Sequence, residues 1–344
     1  MIKLGINGFG RIGRTIARIN AIKKYFRLVA INDLNPQLNN MAYLLKFDST
    51  YGKFPGEITC DCENSILHIN GQEAKYFSKP NIAEVDWKSE AVEILIDASG
   101  PEENVLRAKD LIKNGIVKKV IVTHSTDNAD NEIILGINDD TLKASDNVIS
   151  SNICDSSAIA HILKWIDDEY GIESGSVTTL HPWLSYQNLV DGPAISQSYP
   201  GVIWEDYALG RASANSIIPK NTTAVKSAVK ILKNLEGKLL SFSYRIPTDI
   251  VASSDIVLKP KKAPSNDELR AYLENKVANS DYVRANYESL VSLDYEKEEA
   301  SAVIDFQWLK VQNGLIKIVL WYDNEWGYST NVLRLAKKVM ESHL

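Results

Sequence analysis

Residues 2–7 alternate in the manner of a β-strand, and Gly8, Gly10 and Gly13 follow at once in the pattern G-x-G-x-x-G. A helical run from Arg14 to Lys24 comes next, and then Leu28-Val29-Ala30-Ile31-Asn32-Asp33, an apolar run that ends in an acid. Strand, glycine turn, helix and strand within about 33 residues predict a βαβ unit with a parallel strand pair. The glycine spacing alone is weak, because it arises by chance. Its position after a strand and before a helix, with Asp33 twenty residues beyond Gly13, makes it a dinucleotide signature. Gly8 makes the turn, Gly10 lets the backbone approach a pyrophosphate, and Gly13 lets helix and strand pack closely. The N-terminus of the helix faces the phosphates, and Arg11 and Ile12, between the glycines, are expected in the same cofactor site. Asp33 is placed to accept hydrogen bonds from ribose hydroxyls and to repel a 2′-phosphate, which selects NAD over NADP.

The pattern repeats along the first half. Val92–Asp97 reads as a strand, Glu102–Lys113 as a helix closed by Asn114-Gly115, and Val117–Thr123 as another strand. Residues 1–150 are therefore expected to form a Rossmann-type, mostly parallel α/β sheet. Beyond that point the pattern changes. A helix over Ser156–Tyr170 precedes β-rich runs at 175–181, 239–247, 250–258, 302–307 and 314–322, with helices near 222–234 and 265–278 between them. That order predicts an α+β domain over 151–327 with a largely antiparallel sheet. A final amphipathic helix begins at Tyr328, and helix 328–344 is expected to complete the first domain. Residues 192–216, rich in glycine, proline, serine and aromatics, read as a long functional loop.

At 344 residues, with 44% hydrophobic and 24% charged residues, the chain has the makeup of an ordinary two-domain globular protein. It is neither disordered throughout nor coiled-coil, and no apolar run reaches the length of a membrane span. The N-terminus lacks a basic n-region and predicts no secretory leader. A net charge of −6 gives no general nucleic-acid footprint. Three cysteines make no disulfide framework, and Cys60 and Cys62 lack a second cluster that would complete a zinc site, so no metal is expected. The chain is expected to be cytoplasmic with reduced thiols.

Cys154 stands just before a predicted helix, where the dipole lowers a thiol pKa and the first N–H groups bind an oxyanion. His181 closes a strand. A lone cysteine is more often an inert buried residue, and a lone histidine an ordinary half-buried one. As a pair they suit thiolate–imidazole chemistry, but their spacing in sequence does not bring them together in space.

Taken with Phe47-Asp48-Ser49-Thr50, Ile217-Ile218-Pro219, Arg245-Ile246-Pro247-Thr248 and Trp321-Tyr322-Asp323-Asn324-Glu325-Trp326-Gly327-Tyr328-Ser329, these segments make the chain resemble the glyceraldehyde-3-phosphate dehydrogenase family over nearly its whole length. The resemblance implies an NAD-dependent aldehyde dehydrogenase and a homotetramer. Cys154 would attack an aldehyde to form a thiohemiacetal, His181 would take the hydroxyl proton as hydride leaves, and the resulting thioester would pass to inorganic phosphate. Ser99 and Thr123 would join the cofactor site. Asn324 would hold the nicotinamide amide, with Tyr328 beside it. Thr222, Thr223 and Arg245 would hold the substrate.

Several residues depart from the family's pattern. Its Ser-Cys-Thr-Thr-Asn-Cys is here Ile153-Cys154-Asp155-Ser156-Ser157-Ala158. Two ligands of the attacking phosphate thus become an apolar side chain and a carboxylate. Like charges ~4–6 Å apart at an effective dielectric near 20 repel by roughly 3–4 kcal/mol. Asp155 is equally a good first-turn residue for a helix. Both threonines that follow the histidine in the family are Leu184 and Tyr186 here, Thr223 replaces a glycine, and the loop from Pro193 to Arg211 is longer. Three readings follow. The chain is a glyceraldehyde-3-phosphate dehydrogenase with compensated phosphate sites, a specialised enzyme for a related aldehyde or for release of the acid by hydrolysis, or a non-catalytic NAD-binding protein.

Overall fold

A computed structural model describes residues 1–196, 199 and 201–341. Among the described residues the chain forms two compact units, 1–133 with 139–152 and the C-terminal residues from 329, and 134–138 with 153–328.

The first unit holds a nine-stranded sheet. Its spatial order is Asn131–Glu132, Val148–Ser150, Lys119–Val122, Ile94–Asp97, Lys3–Asn7, Arg27–Asn32, Gln72–Phe77, Ile66–Ile69 and Ile58–Asp61. The pairings are parallel out to Gln72–Phe77, and the last two strands form an antiparallel meander. The central strands are Val- and Ile-rich and buried along their length, as a sheet covered on both faces requires. The order reverses beside Lys3–Asn7, which places the end of that strand at the switch point where such sheets bind ligands.

The helix after Lys3–Asn7 runs Arg11–Lys23, three residues earlier than periodicity predicts. Gly10 is its extended N-cap and Gly13 lies within its first turn, so the glycine motif itself opens the helix. Lys24, in the left-handed region at φ 56°, ends it by donating its N–H to the Asn20 carbonyl, 2.7 Å. Periodicity did not mark the helix Leu38–Lys46 or the meander, because both are short.

In the second unit the sheet order is Ile218–Lys220, Leu239–Ile246, Ile172–Pro182, Ala252–Pro260, Leu315–Tyr322, Ala302–Asp305 and Val283–Asn286, with Lys310–Gln312 beside Leu315–Tyr322. Five of its pairings are antiparallel. The two parallel ones join Ile172–Pro182 to Leu239–Ile246 and Val283–Asn286 to Ala302–Asp305. One face of the sheet is covered by the helix Cys154–Tyr170, whose Ala158, Ile159, Ile162, Leu163 and Ile166 recur at helical spacing and enter a core with Val177, Ile256, Ile318 and Leu320. The helix expected over 222–234 is shorter. It spans Ala224–Ile231 and is followed by a 3-10 turn at Lys233–Leu235.

The long segment after Gly192 has structure of its own. Gly192 donates its N–H to the Gly210 carbonyl at 2.9 Å, and Trp204 donates its N–H to the Ala194 carbonyl at 2.9 Å. A Cβ on Gly210 would meet the Gly192 carbonyl oxygen at 2.1 Å, so only glycine allows this closure. The Trp204 ring then packs edge-on against Tyr186, with centroids 4.5 Å apart.

Candidate active site

In the first unit the glycine turn is a built cradle. Gly8 has φ +88°, and a Cβ there would lie 2.6 Å from the Ala98 backbone. A Cβ on Gly13 would lie 2.0 Å from the Gly8 carbonyl oxygen, whereas one on Gly10 would meet nothing within 4 Å. Gly8 and Gly13 are therefore demanded by the protein's own packing, and Gly10 borders open space. Asp33 accepts from the Phe9 N–H at 2.6 Å and the Asn35 N–H at 2.9 Å, which fixes its carboxylate beside the turn. Beneath it, Asn7 donates to Asp97 at 2.9 Å, Ser99 Oγ donates to the same carboxylate oxygen at 2.5 Å, and Thr123 Oγ1 donates to the Asp97 carbonyl at 3.2 Å. Burial pushes the Asp97 carboxyl up. Ser99 and Thr123 thus border the same strand ends as the glycine turn.

In the second unit four strands and one helix meet at a sheet edge. Ile172–Pro182 and Leu239–Ile246 run parallel, with His181 paired to Arg245. Ala252–Pro260 starts at this edge and Leu315–Tyr322 ends there, with Ala252 opposite Tyr322. Cys154 is the first residue of its helix and Asp155 the second, after the extended Ile153. Cys154 Sγ lies 3.9 Å from His181 Nε2 and 3.7 Å from Asp155 Oδ1. The ligand-type atoms of these three residues all fall within 4.8 Å of one another. His181 Nδ1 is 2.7 Å from the Pro182 carbonyl oxygen, an acceptor. Nδ1 therefore carries the proton, and the Nε2 lone pair faces the sulfur. Tyr322 Oη donates to Asp155 Oδ1 at 2.8 Å and lies 3.2 Å from Ser254 Oγ. Cysteine, histidine and carboxylate are also zinc donors, and His181 Nε2 and Asp155 Oδ2 keep their lone pairs here.

The electrostatics correct the expectation of a thiol activated by the helix dipole. Burial and the adjacent Asp155 carboxylate push the Cys154 thiol well above its ordinary range. Burial, with Arg245 beside it, depresses His181 to about 4. The resting pair is a neutral thiol beside a neutral imidazole. The dipole is outweighed because the site is buried and its nearest charge is negative.

Arg245 is 7% exposed, its Nη2 donates to Tyr186 Oη at 3.3 Å, and its Nε has no partner among the described residues. Thr222 is half-buried and its Oγ1 accepts from the Ala224 N–H at 3.1 Å, while Thr223 is exposed. Asn324 is 5% exposed, and its Oδ1 lacks a hydrogen-bond partner among the described residues. Tyr328 is buried at the start of the last helix, Trp326–Glu341. Sequence reasoning missed Tyr322 and Ser254. No local pattern marks them, because only the sheet brings them to the thiol.

A parallel sheet with a glycine cradle, and a thiol facing an imidazole, define a nicotinamide-dependent oxidoreductase. Residues 2–104 match the NAD binding domain of glyceraldehyde 3-phosphate dehydrogenase, and residues 153–324 match its C-terminal domain. The chain is 35% identical to glyceraldehyde-3-phosphate dehydrogenase 1 of Kluyveromyces marxianus over 98% of its own length and 100% of that protein. It is 36% identical to glyceraldehyde-3-phosphate dehydrogenase 2 of Drosophila melanogaster over 98% of each chain. A chloroplastic glyceraldehyde-3-phosphate dehydrogenase of Arabidopsis thaliana is 34% identical over 97% of this chain and 78% of that protein. The chain belongs to the glyceraldehyde-3-phosphate dehydrogenase family and uses NAD. Among the described residues no helix is long and apolar enough to cross a membrane.

Proposed function

We propose that the chain oxidises glyceraldehyde 3-phosphate or a related phosphorylated aldehyde through an acyl group carried on Cys154. The observation that carries this is the 3.9 Å approach of Cys154 Sγ to the His181 Nε2 lone pair, with Arg245 in register beside the histidine. Because both groups rest neutral, the thiol proton passes by way of His181 Nε2 to the aldehyde oxygen as sulfur attacks the aldehyde carbon, which leaves the imidazole neutral again. In the thiohemiacetal, Nε2 takes the hydroxyl proton. Bound NAD supplies the hydride acceptor that turns the thiohemiacetal into a thioester.

Gly8, Gly10, Arg11, Ile12 and Gly13 would hold the pyrophosphate, Asp33 the ribose hydroxyls, and Ser99 and Thr123 the edge of the same site. The unpartnered Asn324 Oδ1 suits the amide N–H of a nicotinamide, and a buried oxygen with no donor is costly unless a ligand satisfies it. The unpartnered Arg245 Nε suits the substrate's phosphate, and Thr222 and Thr223 would add hydroxyls to it.

Residues 1–150 with the C-terminal helix serve as the NAD-binding domain, and 151–327 as the catalytic domain; of the expected helix 328–344, residues 342–344 lie outside the described residues. Exposed Leu189, Val190, Tyr207, Ile217 and Leu240 favour the homotetramer implied by the resemblance. Three free cysteines favour a reducing, cytoplasmic setting.

The test is NADH formation by the purified protein from NAD and glyceraldehyde 3-phosphate, followed by other phosphorylated aldehydes. Turnover with any of them, lost in Cys154→Ala, supports this function. NADH formation that survives Cys154→Ala overturns it.

A further inference from the structure

We propose that Asp155 is the base that delivers water to the acyl group on Cys154, so that the chain hydrolyses its thioester rather than passing it to phosphate. This rests on the assignment of Cys154 as the acylated nucleophile. A carbon bonded to Sγ falls within reach of a water held by Asp155, whose Oδ1 is 3.7 Å from that sulfur. The carboxylate is also held in place. Tyr322 Oη donates to Oδ1 at 2.8 Å and is itself steadied by Ser254 Oγ at 3.2 Å. The phenol of Tyr322 and the thiol of Cys154 are both placed to donate to that one oxygen. Each of these contacts uses Oδ1, so Oδ2 takes no donor among the described residues.

The same residue excludes the competing acceptor. Asp155 is 6% exposed, so its charge acts through a poorly screening medium on any anion approaching the acyl carbon. Ile153, at the helix N-cap, has no polar side-chain atom to offer a phosphate. A neutral water meets neither obstacle. His181 has its own part in the first half-reaction, which leaves Asp155 for the second.

The step balances without a further reactant. Asp155 takes a proton from water as the water oxygen bonds to the thioester carbon, and the carbonyl pair moves onto its oxygen. When that pair returns, the C–S bond breaks and its electrons leave with sulfur. The proton passes from Asp155 to Sγ, restoring the thiol, and the carboxylic acid departs.

An activated ester tests this without the natural aldehyde. p-Nitrophenyl acetate acylates a reactive thiol in a burst of p-nitrophenolate, and the linear phase that follows is deacylation by water. The burst should be one equivalent per chain in the wild type and in Asp155→Asn, which also shows that the variant is folded. The linear phase should fall on the order of 10²-fold in Asp155→Asn. Asp155→Thr should lose hydrolysis likewise but regain turnover on adding inorganic phosphate, with acetyl phosphate as product. A linear phase within twofold of wild type in both variants overturns the proposal, as does a wild type that forms acetyl phosphate as readily as acetate. A wild type without a burst overturns this and the thiol assignment together. Ester results as expected, with no NADH from any aldehyde, would remove the substrate reading and leave Asp155 as the base.

Discussion

In the first unit the ligand cradle is made of backbone, and in the second the reactive centre is made of side chains. At Gly8 and Gly13 an added Cβ would lie 2.6 and 2.0 Å from main-chain atoms, so no side chain fits at either position. The thiol site gathers Cys154, Asp155, His181, Arg245 and Tyr322 from one helix and three strands. A backbone device has few substitutes, because one atom too many breaks it. A side-chain device can keep its nucleophile and change the residues around it. That difference accounts for a dinucleotide turn that follows the family's pattern beside phosphate-binding positions that do not.

Two glycines of the one turn separate the demands of packing from those of the ligand. Gly13→Ala should cost about 3 kcal/mol of stability, because the clash is with backbone and nothing flexible can yield. Gly10→Ala should unfold at the wild-type urea midpoint yet bind NAD at least ~10-fold more weakly, because its Cβ meets only open space. Both are checked by urea unfolding and by NAD titration. If Gly10→Ala destabilises as much as Gly13→Ala, the turn is purely structural. The p-nitrophenyl acetate burst should persist in Gly10→Ala, since the thiol site is built within the other unit.

The same contrast explains what could be read from the sequence. The glycine turn, its flanking strands and Asp33 were legible because each acts through neighbours in the chain. The change to a largely antiparallel sheet was legible from the order of strand and helix patterns. Cys154 and His181 were legible as types, and their meeting at 3.9 Å was not, because it depends on two elements converging at a sheet edge. Which of the helix dipole and the opposing Asp155 carboxylate prevails at the thiol was not legible, for the same reason. A helix N-terminus is a local feature, whereas burial and the screening around Asp155 are tertiary. Tyr322 lies in the most recognisable segment of the chain, yet its bond to Asp155 spans 167 residues and no pattern carries it.

A smaller effect follows from His181. Its folded-state pKa is about 4 against an ordinary 6.5, so below pH 6.5 the unfolded chain binds a proton there that the folded chain does not. Stability from this group is fully present above pH 6.5 and is lost as pH falls toward 4. At about 1.4 kcal/mol per unit, the wild type should lose about 2 kcal/mol more than His181→Gln between pH 7 and pH 5. Unfolding midpoints at the two pH values measure this. Equal losses would mean that the folded site accepts the proton and that the imidazole is less confined than its 5% exposure implies.

The smallest expected effect tests how the second unit holds an anion. Tyr186 Oη accepts from Arg245 Nη2 at 3.3 Å, and the Trp204 ring backs the tyrosine from the long loop. The phenol therefore occupies one guanidinium donor that a substrate phosphate could use. Tyr186→Phe keeps the ring against Trp204 and removes only that acceptor. A net hydrogen bond is worth about 0.5–1.5 kcal/mol, and at 3.3 Å this one belongs near the lower end. KM for a phosphorylated aldehyde should fall about 2-fold, with kcat unchanged, because the freed N–H turns to the substrate. A rise in KM would give the hydroxyl the opposite role, as a direct ligand of the substrate. Tyr186 would then stand in for the missing threonines, and the second unit would have rebuilt its anion site with a different side chain.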